Sequence, residues 1–211
     1  MPFHKIVVMG DRNVGKTAMS MMYVYGRFPP EYRPTSEDVY IKSLEQQPLK
    51  GKGTIYLHFW DTSGSIVSTD PDDRRTRFHY YNIADVVMLV YDAQNEESQQ
   101  KVDSLKIEIN TAQQLQGKKP SIFVVENRSN STGNCSPMKQ PSDSNSSIPP
   151  ITPDFRVSTL QKNEVDTCIE QMLQACQLGI GSSGNSIKRA SSRTSVHSMS
   201  TIKSVKNVLQ K

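Results

Sequence analysis

Residues 10–17 read Gly10-Asp11-Arg12-Asn13-Val14-Gly15-Lys16-Thr17, a G-x-x-x-x-G-K-T pattern. Lys5-Ile6-Val7-Val8-Met9 before it has the pattern of a short buried strand, and Ala18 to Tyr25 after it is an apolar helical run. That strand–loop–helix setting is the context in which the pattern cradles phosphate. The glycines let the backbone wrap an anion, so several N–H groups and a helix N-terminus converge on it. Lys16 adds a point charge toward the outer phosphates, and the Thr17 hydroxyl is placed to ligate Mg²⁺. The expected ligand is a nucleoside phosphate.

Outward from this loop, strands and helices alternate. Tyr23 to Tyr40 is polar, contains Pro29, Pro30 and Pro34, and is expected to be a loop. Val39 to Leu44 and Thr54 to Trp60 read as a hairpin around a turn at 46–53. Asp61-Thr62-Ser63-Gly64 ends the second strand and leads into a charged stretch, Ser65 to Arg77. Asp85 to Asp92 is a continuous apolar run, as a strand covered on both faces requires. Gln99 to Gln116 repeats apolar residues at one-face helical spacing. Ser121 to Val125 and Phe155 to Val157 are further strands, and Glu164 to Leu178 is a helix with Val165, Ile169, Met172, Leu173 and Cys176 inward. The expected architecture is a doubly wound α/β fold, with a mostly parallel six-stranded sheet and one antiparallel edge strand.

Two segments fall outside this rhythm. Ser129 to Pro153 contains seven Ser, five Pro and three Asn, the composition of a linker or surface loop. Residues 179–211 carry six Lys or Arg and no Asp or Glu, so residues 1–178 sit near −2 despite the chain's net charge of +4. A domain over 1–178 with a flexible basic tail follows, and the folded part is not expected to bind nucleic acid. In the tail, Ile202, Val205, Val208 and Leu209 share one helical face, a pattern suited to weak contact with acidic lipid or a partner groove. Arg74, Arg75 and Arg77 are expected to be either a solvated face or a contact for an acidic partner. No apolar run approaches the roughly 18–20 residues of a membrane span. Three cysteines, Cys135, Cys168 and Cys176, lack metal-ligand spacing and suggest a reducing compartment, with Cys168 and Cys176 buried thiols. The ends carry neither a signal-peptide pattern nor a prenylation or myristoylation motif, so a cytoplasmic protein without a lipid anchor is expected.

The phosphate loop, Pro34-Thr35, Asp61-Thr62-Ser63-Gly64 and Asn127 occur in an order and spacing that resembles Ras-type small GTPases. The resemblance implies a guanine-nucleotide site, for GTP or GDP with Mg²⁺. Asp11, Arg12, Asn13, Val14, Gly15, Lys16, Thr17 and Ala18 would line the phosphates, and Phe28 and Tyr32 would make ring contacts to the nucleotide. Thr17, Thr35 and Asp61 would hold the metal, with Thr35 and the Gly64 amide closing on the γ-phosphate. Asn127, Arg128, Asn130, Ser158 and Thr159 would stand near the base. Residues 32–45 and 61–78 would meet an effector or inhibitor protein.

Several positions depart from that pattern. The family's water-positioning Gln is here Ser65, too short to reach both the water and the γ-phosphate. Arg12 replaces a Gly that leaves room for an incoming catalytic arginine; it could alternatively serve as the chain's own arginine finger. Slow or absent hydrolysis is the expectation. N-K-x-D appears as Asn127-Arg128-Ser129-Asn130, and replacing its Asp forfeits a charge-assisted hydrogen bond of about 1.5–3 kcal/mol, which weakens guanine preference. The third base motif ends in Leu160 rather than Lys. Segments 37–45, 89–92 and 102–109 resemble the NF-kappa-B inhibitor-interacting Ras-like branch. That resemblance implies a signalling interaction module for the inhibitor of NF-kappa-B and for a Ral GTPase-activating complex. A cycling Ras-like switch of another branch is the alternative, and a small-molecule kinase is disfavoured by the Trp60–Gly64 turn and the Pro34-Thr35 loop.

Overall fold

A computed structural model describes residues 3–46, 53–116, 120–128 and 152–178. Six strands form one sheet: β1 (Phe3–Met9), β2 (Glu37–Gln46), β3 (Gly53–Thr62), β4 (Val86–Asp92), β5 (Ser121–Asn127) and β6 (Phe155–Val157). Their order is β2-β3-β1-β4-β5-β6, with β2 antiparallel to β3 and every other pairing parallel. The expected fold class is borne out, antiparallel edge included.

The described residues also form four α-helices, α1 (Lys16–Tyr25), α2 (Pro71–Ile83), α3 (Glu96–Gln116) and α4 (Lys162–Ala175). Alternation along the central strands divides the core between them. Ile6, Val8, Val86, Met88 and Val90 pack with α1 and α4, while Val7, Met9, Val87, Leu89 and Tyr91 pack with α2 and α3. Both faces of β1 from Ile6 to Met9 and of β4 from Val86 to Tyr91 are therefore dry, which explains their apolar runs. Strand order reverses about β1, so the crevice beyond its carboxyl end is where a ligand belongs in such a sheet.

Most boundaries fall within a few residues of expectation. The hairpin strands are longer at both ends, and the polar 23–40 stretch is loop only between the end of α1 and the start of β2. Cys168 is buried, but Cys176 is half-buried at the end of α4. The larger departure is the charged stretch after Gly64. It forms a 3-10 turn, Gly64–Val67, and then α2. Asp70 caps that helix by accepting the Asp72 N–H at 2.7 Å, and Pro71 occupies its first turn. The inward face of α2 carries Arg77, Tyr80 and Tyr81, so an arginine breaks the apolar period that would have marked it. The turn after Gln46, the Ser/Pro-rich segment 129–151 and the tail 179–211 lie outside the described residues.

Candidate nucleotide site

The loop after β1, the turn after β3, the end of β5 and the loop after β6 all reach the same edge of the sheet. Gly15 holds φ +96°, and a Cβ there would lie 2.4 Å from the Asn127 Nδ2. Only glycine permits both the backbone and the close approach. Asn127 Nδ2 donates to the Val14 carbonyl at 2.9 Å, and its Oδ1 accepts from the Thr159 N–H at 3.3 Å. This buried amide ties the phosphate loop to the β6 loop, two of the segments the sequence assigned to one ligand. The Ser158 N–H beside it donates to Glu164 Oε2 at 2.8 Å, a partner that the sequence reading missed.

Lys16 is buried and its Nζ donates to the Asp11 carbonyl at 2.6 Å. Burial lowers its pKa, against the opposing charges of Asp61 and Asp11. Asp11 itself is held by Lys101 Nζ on α3 at 2.7 Å, and Lys101 also pairs with Glu97 at 2.8 Å. Those bonds to Asp11 and then Glu97 raise the Lys101 pKa. Lys101 stands 90 residues from Asp11, so no local pattern in the sequence could announce it.

Thr17, Thr35 and Asp61 come together. The Thr17 hydroxyl donates to Asp61 Oδ2 at 2.6 Å, and its Oγ1 lies 3.0 Å from that of Thr35. Asp61 has no solvent exposure, and its Oδ1 has no hydrogen-bond partner. Burial raises the carboxyl pKa to about 6, with the Thr17 bond and the Lys16 charge pulling it back. Two hydroxyls and a carboxylate with a bare oxygen are hard donors of the kind Mg²⁺ takes, usually completed by phosphate and water. The residues fit that ion.

Gly64 packs on the phosphate loop so closely that a Cβ would meet the Arg12 backbone nitrogen at 2.6 Å and Cα at 2.8 Å. The side chain of Arg12 runs past the same spot and ends exposed. Asn13 takes a left-handed φ of 61° in the same loop. Ser65 is exposed, and its Oγ lies 2.8 Å from that of Ser63. Ala18 is buried in the first turn of α1. Phe28 and Tyr32, at 43% and 62% exposure, are not drawn into the cluster. Arg128 is exposed at the end of β5, and Asn130 lies outside the described residues.

The profile of the family described as the Ras family matches residues 5–177. The chain belongs to that family. Ras-family GTPases bind guanine nucleotide with Mg²⁺ and engage effector proteins, and this chain carries their P-loop α/β fold. Human "Rho-related GTP-binding protein RhoD" is 38% identical over 88 residues, 42% of this chain and 38% of the relative. "Ras-related protein Rab-5B" of Plasmodium falciparum is 33% identical over 129 residues, 59% of this chain and 55% of the relative. "NF-kappa-B inhibitor-interacting Ras-like protein" of Drosophila melanogaster is 32% identical over 107 residues, 50% of each. The chain spans about half, or less, of the length of these relatives. Rho-, Rab- and NF-kappa-B-inhibitor-interacting types thus stand at similar distances from this Ras-family chain. Among its described residues no helix is long and apolar enough to cross a membrane.

Proposed function

We propose that the chain binds GTP with Mg²⁺ and acts as a signalling interaction module whose hydrolysis is slow or absent. The observation that carries this reading is the Thr17–Thr35–Asp61 cluster, with its orphaned Asp61 oxygen, beside the phosphate loop and Lys16. Main-chain amides after Gly10 and the Lys16 ammonium hold the outer phosphates. Thr17, Thr35 and Asp61 would hold Mg²⁺, which when bound would neutralise charge on the phosphate oxygens. Thr35 thereby couples the 27–36 loop to the ligand, and Gly64 couples the 61–68 turn to it through its contact with Arg12. Asn127 braces the loops that flank the base.

Slow chemistry follows from Ser65. Its hydroxyl is engaged with Ser63, and it carries neither the length nor the amide to orient a water against the phosphate. Arg12 occupies the approach that a catalytic arginine from a second protein would need. Residues 32–45 and 61–78 present the partner surface in the cytoplasm. The resemblance to the NF-kappa-B inhibitor-interacting branch, supported by the Drosophila relative, makes NF-kappa-B and Ral signalling the favoured setting.

The test is the nucleotide that copurifies, identified by mass spectrometry, followed by single-turnover hydrolysis. Guanine nucleotide is expected in wild type and is lost from Lys16→Ala. Ser65→Gln is expected to speed hydrolysis by about tenfold or more. Copurified adenine or xanthine nucleotide would overturn the guanine assignment. A wild-type hydrolysis rate equal to that of an ordinary Ras protein would overturn the slow-turnover reading.

A further inference from the structure

The phosphate loop is braced on both of its halves. On the far half, Asn127 holds the Val14 carbonyl. On the near half, Gly10 is wedged against β4, where a Cβ would meet the Val90 carbonyl oxygen at 2.1 Å. The next residue, Asp11, is tied to α3. Its Oδ2 accepts Lys101 Nζ at 2.7 Å, while its Oδ1 accepts the Arg12 N–H at 2.8 Å. The carbonyl of the same residue accepts Lys16 Nζ at 2.6 Å. Helix α3 thus reaches the phosphate-facing ammonium through a single residue.

A carboxylate opposes the arrival of a polyanion beside it. Burial lowers the Lys16 pKa and the charges of Asp61 and Asp11 work against that, so the field of Asp11 is felt at the ammonium that meets phosphate. Left uncompensated, the same field repels phosphate there. Among the described residues, Lys101 is the one side-chain cation within ion-pair distance of Asp11. Glu97, one turn earlier on α3, steadies it at 2.8 Å. The Lys101 side chain is 33% exposed and that of Asp11 16%, and a pair so open to water adds little to the stability of a fold. Its consequence lies in the loop it touches.

We infer that Lys101 is a positioning residue for the nucleotide: by neutralising the Asp11 carboxylate and pinning it to α3, it keeps the loop receptive to phosphates that it does not itself touch. This inference rests on the proposed nucleotide site and adds to it a residue outside every segment assigned to ligand or partner above.

The test follows release of methylanthraniloyl-GDP from the full chain with Mg²⁺ present, chased by excess unlabelled GDP. Lys101→Met keeps a good helix former at a partly exposed position of α3 and is expected to speed release by about tenfold. Lys101→Arg keeps the charge and is expected to stay within about threefold of wild type. Asn has the shape of Asp and retains an oxygen for the Arg12 N–H, so Asp11→Asn added to Lys101→Met is expected to recover most of the loss. A merely structural role for Lys101 predicts no such recovery. Unchanged release from Lys101→Met would overturn the inference. So would a double variant that releases as fast as Lys101→Met, since Lys101 would then act on phosphate directly or only brace the helix. A thermal midpoint that drops in Lys101→Met and stays low in the double variant would assign Lys101 to the fold and overturn it too. A wild type that retains no labelled nucleotide would instead bring down the nucleotide site itself, and the inference with it.

Discussion

A carboxylate with no exposure, one hydroxyl donor and one bare oxygen is costly to ionise. Asp61 therefore gives the metal-free chain a definite pH signature. Its native pKa, raised by burial to about 6, lies above that of the unfolded chain. The native state binds the extra proton between those values, so stability falls as pH rises from about 4 to about 6 and levels off above. The loss is on the order of 3 kcal/mol. Chemical denaturation of nucleotide-stripped protein in EDTA is expected to show that decline. Asp61→Asn removes it, and so does saturation of the wild type with Mg²⁺ and GDP. Identical pH profiles for the wild type and Asp61→Asn would sink this account. The neighbouring Gly64 is constrained in another way, because its contact is with main-chain atoms of Arg12 that no rotamer change can withdraw.

At the scale of elements, the join between α2 and α3 rests on the buried Arg77–Glu108 ion pair. Burial alone would raise the Glu108 pKa, but the bonds from Arg77 and Tyr81 and the nearby cations outweigh it and hold the carboxyl below its ordinary value. Its contribution is present above the unfolded pKa and is lost as pH falls through the depressed native one. Glu108→Gln leaves the buried Arg77 without its counter-charge and is expected to cost about 3 kcal/mol, measured by urea denaturation. Amide exchange in 66–83 should quicken in the same variant. An unchanged midpoint would mean that the pair is energetically idle. The strands and α1, α3 and α4 were legible because apolar periodicity writes them locally. The phosphate loop and the Asp61–Gly64 turn were legible because their chemistry depends on residue type and spacing. Helix α2 was not, since its inward side is fastened by an ion pair 31 residues distant, which no local window contains. Its Asp70-Pro71 start was the one available signal. The same reasoning removes Arg77 from the set of cations offered to a partner, leaving Arg74 and Arg75. Lys101 and Glu164 escaped notice because they act on the site through backbone or side chains that approach only after folding.

At the scale of the molecule, the described residues form two apolar clusters, built from segments between Ile6 and Leu178. Residues 1–178 are accordingly expected to unfold with the same midpoint as the full chain and to retain nucleotide equally, as thermal denaturation and filter binding would report. Removal of 179–211 should instead weaken cosedimentation with phosphatidylserine vesicles. A lowered midpoint on truncation would show that the tail belongs to the fold. The sheet also ends unequally at its two sides. Among the described residues, strand β2 spans Glu37–Gln46 and has a neighbour on one side only, whereas β6 is limited to Phe155–Val157. A visiting chain that continues the sheet as a seventh strand thus finds ten residues of rim at one side and three at the other. Addition at the long rim would place the visitor directly after Thr35, so main-chain recognition there and occupancy of the phosphate pocket would report on each other.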